Sequence, residues 1–160
     1  MTNPSTESRR GATIPLKGLV IVTAVAVAAW WSARVAGGRA LDATLASWAG
    51  APLPAVDGPI RGELADLGAQ VFEKKCAACH ALRGEPKLAP NLEGVTLRRD
   101  YPWIQAMVMR PDSMLVDDPV ARALRLGYAM DMKVPGGMTP ERTLAVLEFL
   151  RRVDRDAFGG

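Results

Sequence analysis

The chain has 160 residues, with 20 Lys and Arg against 17 Asp and Glu, one histidine and two cysteines. That length suits one compact domain with additions. Residues 1–60 hold five cations against three anions and residues 61–160 hold fifteen against fourteen, so no clustered basic stripe marks a nucleic-acid binder.

Residues 1–15 are polar and carry Arg9 and Arg10, with Lys17 just beyond. Gly18 to Ala33 then runs sixteen residues without a charge, about 24 Å of helix. A spanning helix wants about 20 residues. Ile14, Leu16, Val35 and Ala36 can extend it, with Lys17 and Arg34 snorkelling to the interfaces. Residues 16–36 therefore read as a single transmembrane anchor, with Trp30 and Trp31 at the far headgroup level. A cleaved signal peptide has the same basic, apolar, small-residue order, and Ala33, Ala36 and Ala40 leave cleavage open. In both cases the basic residues hold 1–15 in the cytoplasm and put the rest of the chain outside it.

Residues 37–62 read as a linker. Leu41 to Trp48 has Leu41, Leu45 and Trp48 on one helical face, which is either a spacer or a surface that lies on the membrane or a partner. Ala51-Pro-Leu-Pro54 and Asp57-Gly-Pro59 then break regular structure. From Glu63 to Lys75 the spacing of Leu64, Leu67, Val71 and Phe72 predicts an amphipathic helix.

That helix runs into Cys76-Ala-Ala-Cys79-His80, which holds both cysteines and the only histidine. Two thiols three positions apart on a helical turn point the same way, so each can add to one vinyl group of a single haem. The histidine that follows can offer an imidazole nitrogen to the iron. A thioredoxin-like pair needs a βαβ setting that this chain does not show. A zinc site needs more ligands than two cysteines and a histidine, unless carboxylates or water complete it. The motif therefore reads as one covalent haem c with His80 as an iron ligand.

Beyond it, Gly84, Pro86 and Pro90 mark a loop. Tyr101 to Val108 reads as a short helix that ends before Pro111. Asp118 to Tyr128 is another, with Asp118 as cap and Pro119 in the first turn. Thr139-Pro140-Glu141 opens the last helix, which carries Leu144, Leu147 and Leu150. No stretch alternates as a strand, so the fold class is all-α.

No second histidine exists, so the sixth iron ligand falls to methionine or lysine. Met107 lies within a predicted helix, Met109 and Met114 flank Pro111, and Met138 takes the position before a helix cap. Met130 and Met132, in the loop 128–138, remain. Residues 63–153 resemble a class I cytochrome c domain. Gly68-Ala-Gln-Val-Phe72 is similar to the first helix of that family, whose glycine and aromatic contact the last helix. Ala89-Pro-Asn-Leu92 is similar to the Gly-Pro-Asn-Leu loop, and Leu147-Glu-Phe-Leu150 to the end of the last helix. The resemblance implies a cytochrome c domain over 63–160, with the Pro90 carbonyl on the haem histidine. It implies the ligand methionine five to seven residues before the hydrophobic residue that precedes the last helix. Met132 fits that spacing and Met130 stands second. The usual Met-Pro pair is here Met132-Lys133. Trp103 and Tyr101 either reach a haem propionate, as aromatic residues do in relatives, or pack in the core. Arg98 and Arg99 either pair with propionates or stay solvated.

Asp118 to Leu124 is similar to membrane-anchored monohaem cytochromes of bacterial respiratory chains. The expected function is one-electron transfer at the outer, periplasmic face of a bacterial inner membrane. The chain would act as a tethered carrier or as a subunit of a respiratory or photosynthetic complex, with redox proteins and membrane lipid as partners. No general acid or nucleophile constellation suggests an enzyme. A haem-based gas sensor with an open or weak sixth site is the alternative.

Overall fold

A computed structural model describes residues 16–159, and among them every regular element is helical. The predicted cytoplasmic segment 1–15 lies outside the described residues. Seven helices follow in order: α1 (Leu16–Ala46), α2 (Gly62–Lys75), α3 (Val95–Arg98), α4 (Tyr101–Met109), α5 (Pro111–Asp117), α6 (Pro119–Arg125) and α7 (Pro140–Phe158). By contact density the chain divides between Ala40 and Leu41 into two units.

In the first unit α1 exposes Ile21, Val22, Val25, Val27, Trp30 and Trp31, an apolar surface suited to lipid. The Arg34 guanidinium lies over the Trp30 ring, 4.2 Å from its centroid. The stretch Ile21–Ala46 is long and apolar enough to cross a membrane. The 31 residues of α1 rise about 46 Å, so the helix continues well past the expected boundary at 36.

The second unit begins with the last turns of α1. Leu41 and Leu45 are buried there with Leu64, Val71, Phe72, Leu144, Ala145 and Leu150, and Trp48 and Leu53 pack against the same cluster. Of the segment expected to be a linker, residues 41–62 thus belong to the domain itself. The face of Leu41, Leu45 and Trp48 is covered by the domain's own core, which neither a spacer nor an external docking surface would require.

The core is built where α2 crosses α7. Its apolar faces meet through Leu64, Ala65, Val71 and Phe72 on one side and Leu144, Ala145, Leu147 and Leu150 on the other. The Phe72 and Phe149 rings are tilted with centroids 5.4 Å apart. Gly68 lies at the crossing, where a Cβ would sit 1.9 Å from the Ala145 carbonyl oxygen. Tyr101 and Ile104 of α4 form a second cluster with Leu147.

Helix starts follow cap chemistry. Asp100 accepts a hydrogen bond from Trp103 N at 2.7 Å, Asp118 from Ala121 N at 2.8 Å, and Thr139 from Arg142 N at 3.3 Å. Each cap precedes a proline in the first turn, where a missing N–H costs nothing. Pro111 does the same for α5, where the sequence suggested only a break. Arg110, at φ −146° and ψ 55°, leaves the helical region as a residue before proline tends to. One helix therefore stops and another starts at once. α6 closes at Arg125, earlier than Tyr128, in a tight turn where Gly127 N bonds to Leu124 O at 3.2 Å.

Candidate functional site

The C-terminus of α2 carries the cysteines. Cys76 N still bonds to Phe72 O at 2.8 Å, and then Cys79 N and His80 N both bond to Cys76 O, at 3.0 and 2.9 Å. That tight turn folds Cys76, Cys79 and His80 onto one another directly after the helix. Both thiols are free and half-buried. Burial first, and the neighbouring Cys79 second, push the Cys76 thiol up to about 11, so it stays protonated at neutral pH.

His80 is oriented by the loop that follows. Its Nδ1 pairs with the Pro90 carbonyl oxygen at 2.8 Å, so Nδ1 carries the proton and Nε2 keeps its lone pair. Burial pushes the imidazole below its ordinary value, and the bond to Pro90 partly opposes this. The ring is therefore neutral at physiological pH, the form that binds a metal.

The Pro90 loop is itself held at several points. Ala89 N bonds to Cys79 O at 3.1 Å and Leu92 N to Ala81 O at 2.9 Å. Glu93 N bonds to Asn91 Oδ1 at 2.6 Å. Asp154, buried on α7, accepts from Gly94 N at 2.7 Å, Thr96 N at 2.9 Å and Thr96 Oγ1 at 2.7 Å. Gly94 takes a left-handed φ of 66°, which favours glycine at this approach.

The residues at this turn fit a covalent haem. Cys76 and Cys79 supply two thiols on one turn, and His80 presents a free nitrogen fixed from behind, as outer partners fix a metal-binding imidazole. No group of three or more Cys, His or carboxylate residues able to hold an ion exists among the described residues, which leaves a zinc reading without enough donors. A second observation points the same way. The Trp103 indole Nε1 is buried without a hydrogen-bond partner, an uncommon and costly state that a bound acceptor would relieve. Asp118 is held below the usual carboxylate range, chiefly by Ala121 N–H and to a lesser degree by this indole.

The other aromatic candidate is committed elsewhere. The Tyr101 hydroxyl accepts from Arg151 Nε at 3.1 Å and the side chain is buried. Of the arginine doublet, Arg98 donates to the Glu93 carbonyl, while Arg99 stacks 5.4 Å from the Trp103 ring centroid.

The methionines separate by surroundings. Met109 Sδ accepts from Thr143 Oγ1 at 3.0 Å, and Met138 packs against the core cluster. Met130 is 62% exposed. Met132 is half-buried in the loop between α6 and α7. Ion pairs flank it on both sides: Arg125 Nε to Asp131 at 2.5 Å and Lys133 Nζ to Asp112 at 2.7 Å.

A buried polar network behind the site carried no expectation from sequence. Glu148, fully buried on α7, accepts from Arg61 Nε and from Arg151 Nη1. Arg151 Nη2 donates to Ala55 O and Gly58 O, each at 2.9 Å. Its signal in the sequence is charge on the apolar face: Glu148 and Arg151 follow Leu144 and Leu147 at helical spacing.

A family model described as Cytochrome c matches residues 65–154. Among solved structures the chain is similar to cytochrome c from Rhodothermus marinus, at 34% identity over 61% of this chain and 83% of that one, with a TM-score of 0.58. An engineered cytochrome c from the same organism matches at 34% identity over 61% and 83%, with a TM-score of 0.57. An engineered form bound to a carbene intermediate matches at 34% identity over 61% and 82%, with a TM-score of 0.55. No curated protein matches significantly.

Proposed function

This chain belongs to the class I c-type cytochromes, haem proteins of electron transfer, and on that premise we propose that it carries single electrons at the outer face of a bacterial inner membrane, with His80 and Met132 as axial ligands. Bound through Cys76 and Cys79, the haem iron would exchange one electron between its ferrous and ferric states with no change in a substrate. The observation that carries the reading is the His80 turn: two thiols, a neutral imidazole, and Pro90 holding Nδ1 at 2.8 Å. Pro90 fixes the ring so that Nε2 alone is offered. Met132 is the soft donor we favour, because it is half-buried in a loop, whereas Met130 is exposed, Met109 accepts from Thr143, Met138 packs against the core, and Met107 and Met114 lie within α4 and α5. A thioether there raises the potential, as suits a carrier.

The apolar surface of α1 supports a retained anchor, which would keep the domain near membrane-bound redox partners at about millimolar effective concentration. Whether the chain shuttles or sits in a larger complex is read from size after detergent extraction. A chain that runs alone is a carrier.

The test is the membrane-purified chain. Expected are a mass larger than the full polypeptide by one haem, a haem stain that survives denaturation, and the weak far-red band of methionine bonded to ferric iron. That band disappears in Met132→Ala and survives in Met130→Ala. A stable five-coordinate ferrous iron that takes up gas without losing a ligand would sink the proposal in favour of a sensor.

Trp103→Phe supplies a further check. If the indole N–H meets a propionate, the charged hydrogen bond contributes about 1.5–3 kcal/mol. The haem-loaded variant then unfolds at lower denaturant than the parent. In the haem-free form the same substitution removes an orphaned donor and leaves stability equal or improved. A loss of equal size in both forms means that Trp103 is packing alone.

A further inference from the structure

The loop between α6 and α7 is short of internal structure, yet charged side chains hold it at intervals. Arg125 on α6 pairs with Asp131 at 2.5 Å, and Asp112 on α5 pairs with Lys133 at 2.7 Å. Lys75, at the end of α2, donates to the Gly136 carbonyl at 2.7 Å. The two ion pairs reach the residues immediately before and after Met132 and tie them to two different helices. Between Met132 and Pro135 no proline fixes φ, because Lys133 and Val134 intervene, so the backbone here has no covalent restraint of its own.

We propose that the Arg125–Asp131 and Asp112–Lys133 pairs are a clamp that positions Met132, setting how readily its sulfur yields the iron to an external ligand. The inference rests on Met132 as the axial ligand. These are positioning residues, since each of the four is committed to its ion pair. A displacement of Met132 that carries its backbone neighbours with it breaks both pairs. The pairs therefore add to the cost of opening and not to the cost of the closed state.

Both pairs are solvent-exposed: side-chain exposure is 53% and 36% for Arg125 and Asp131, and 69% and 72% for Lys133 and Asp112. Each contributes modestly, on the scale of a few tenths to one kcal/mol, and is screened by salt. Sixth-site opening in this protein is accordingly tuned by ionic strength, with the clamp released as salt rises.

The experiment uses the full, haem-loaded ferric chain and imidazole as probe, at a pH where the probe is uncharged. In the exchange the Met132 Sδ–iron bond breaks, an imidazole nitrogen–iron bond forms, and the iron stays ferric. The expected result is an apparent imidazole affinity about threefold higher in Asp112→Asn and in Arg125→Gln, and about tenfold higher in the double variant. The parent reaches the double variant's value as salt rises from about 0.01 to 1 M, while the double variant no longer responds. Swapping the charges by Asp112→Lys with Lys133→Asp restores the parent value, and unfolding midpoints change little throughout.

Unchanged affinity in the double variant overturns the clamp, as does a salt response that persists in it. If Met132→Ala loses the far-red band while the clamp variants are silent, the clamp fails and the ligand assignment stands. If Met132→Ala keeps the band, both fail together.

Discussion

Gly68→Ala will prevent the native core from closing, with a loss of about 3 kcal/mol or more. An exposed helical glycine replaced by alanine ordinarily gains up to about 1 kcal/mol, so the sign here is set wholly by packing. A Cβ at position 68 would lie 1.9 Å from the Ala145 carbonyl oxygen, 2.4 Å from its carbon and 2.9 Å from Phe149 Cβ. Two of these three atoms are backbone of the facing helix, so no side chain can rotate away. Relief requires α2 and α7 to separate, which opens the Leu64, Phe72, Leu144 and Leu150 cluster on both sides of the crossing. Overpacking costs typically 1–3 kcal/mol where side chains can yield, and this site exceeds that class. Denaturant midpoints of the haem-loaded domain measure it. Gly62→Ala, at the start of the same helix with nothing within 4 Å, should stay within about 0.5 kcal/mol of the parent. A Gly68→Ala variant within about 1 kcal/mol of the parent would mean that the two helices do not touch here.

The sequence made Gly68 visible only through resemblance, because a glycine in a helical pattern carries no sign of what approaches it. The same limit divides the rest of the molecule. Cap chemistry is local, so Asp118-Pro119 and Thr139-Pro140 were legible as helix starts and appear as such. Pro111 was legible as a boundary but not as the start of α5, because proline ends one helix and opens another by the same loss of an N–H. The turn at Cys76–His80 was legible because adjacent residues build it, and its bond to Pro90 only through resemblance. Asp154 was not. Its three hydrogen bonds reach Gly94 and Thr96, about sixty positions away, and only tertiary structure pairs them. Leu41, Leu45 and Trp48 declared an apolar face correctly, but periodicity cannot say what covers a face, and the answer was the domain's own core.

Glu148→Ala will destabilise the domain by about 3–5 kcal/mol, the cost of stranding buried cations. Glu148 has no exposure at all, and its two carboxylate oxygens are divided between Arg61 and Arg151. Arg151 is itself 3% exposed and cannot turn to water. Its remaining donors hold Tyr101 Oη and the Ala55 and Gly58 carbonyls, and Arg155 also reaches Gly58 O at 2.9 Å. Without the carboxylate, Arg151 keeps neutral acceptors but loses its counter-charge, and Arg61 loses its hold on α7. The segment 52–61 is then held mainly by Leu53 in the core and by neutral hydrogen bonds from Arg151 and Arg155 to the Ala55 and Gly58 carbonyls. Glu148→Ala should therefore lower the unfolding midpoint by more than about 10 °C and speed proteolysis within 52–61 before global unfolding. The pair is costly to break without being a large net stabiliser. Glu148→Met with Arg151→Met removes two of the three charges and leaves only Arg61, a cation with 23% exposure, to turn toward water, so it should recover part of the loss. If the single and double variants are equally destabilised, the network's value lies in its hydrogen bonds to residues 55–58 rather than in charge compensation.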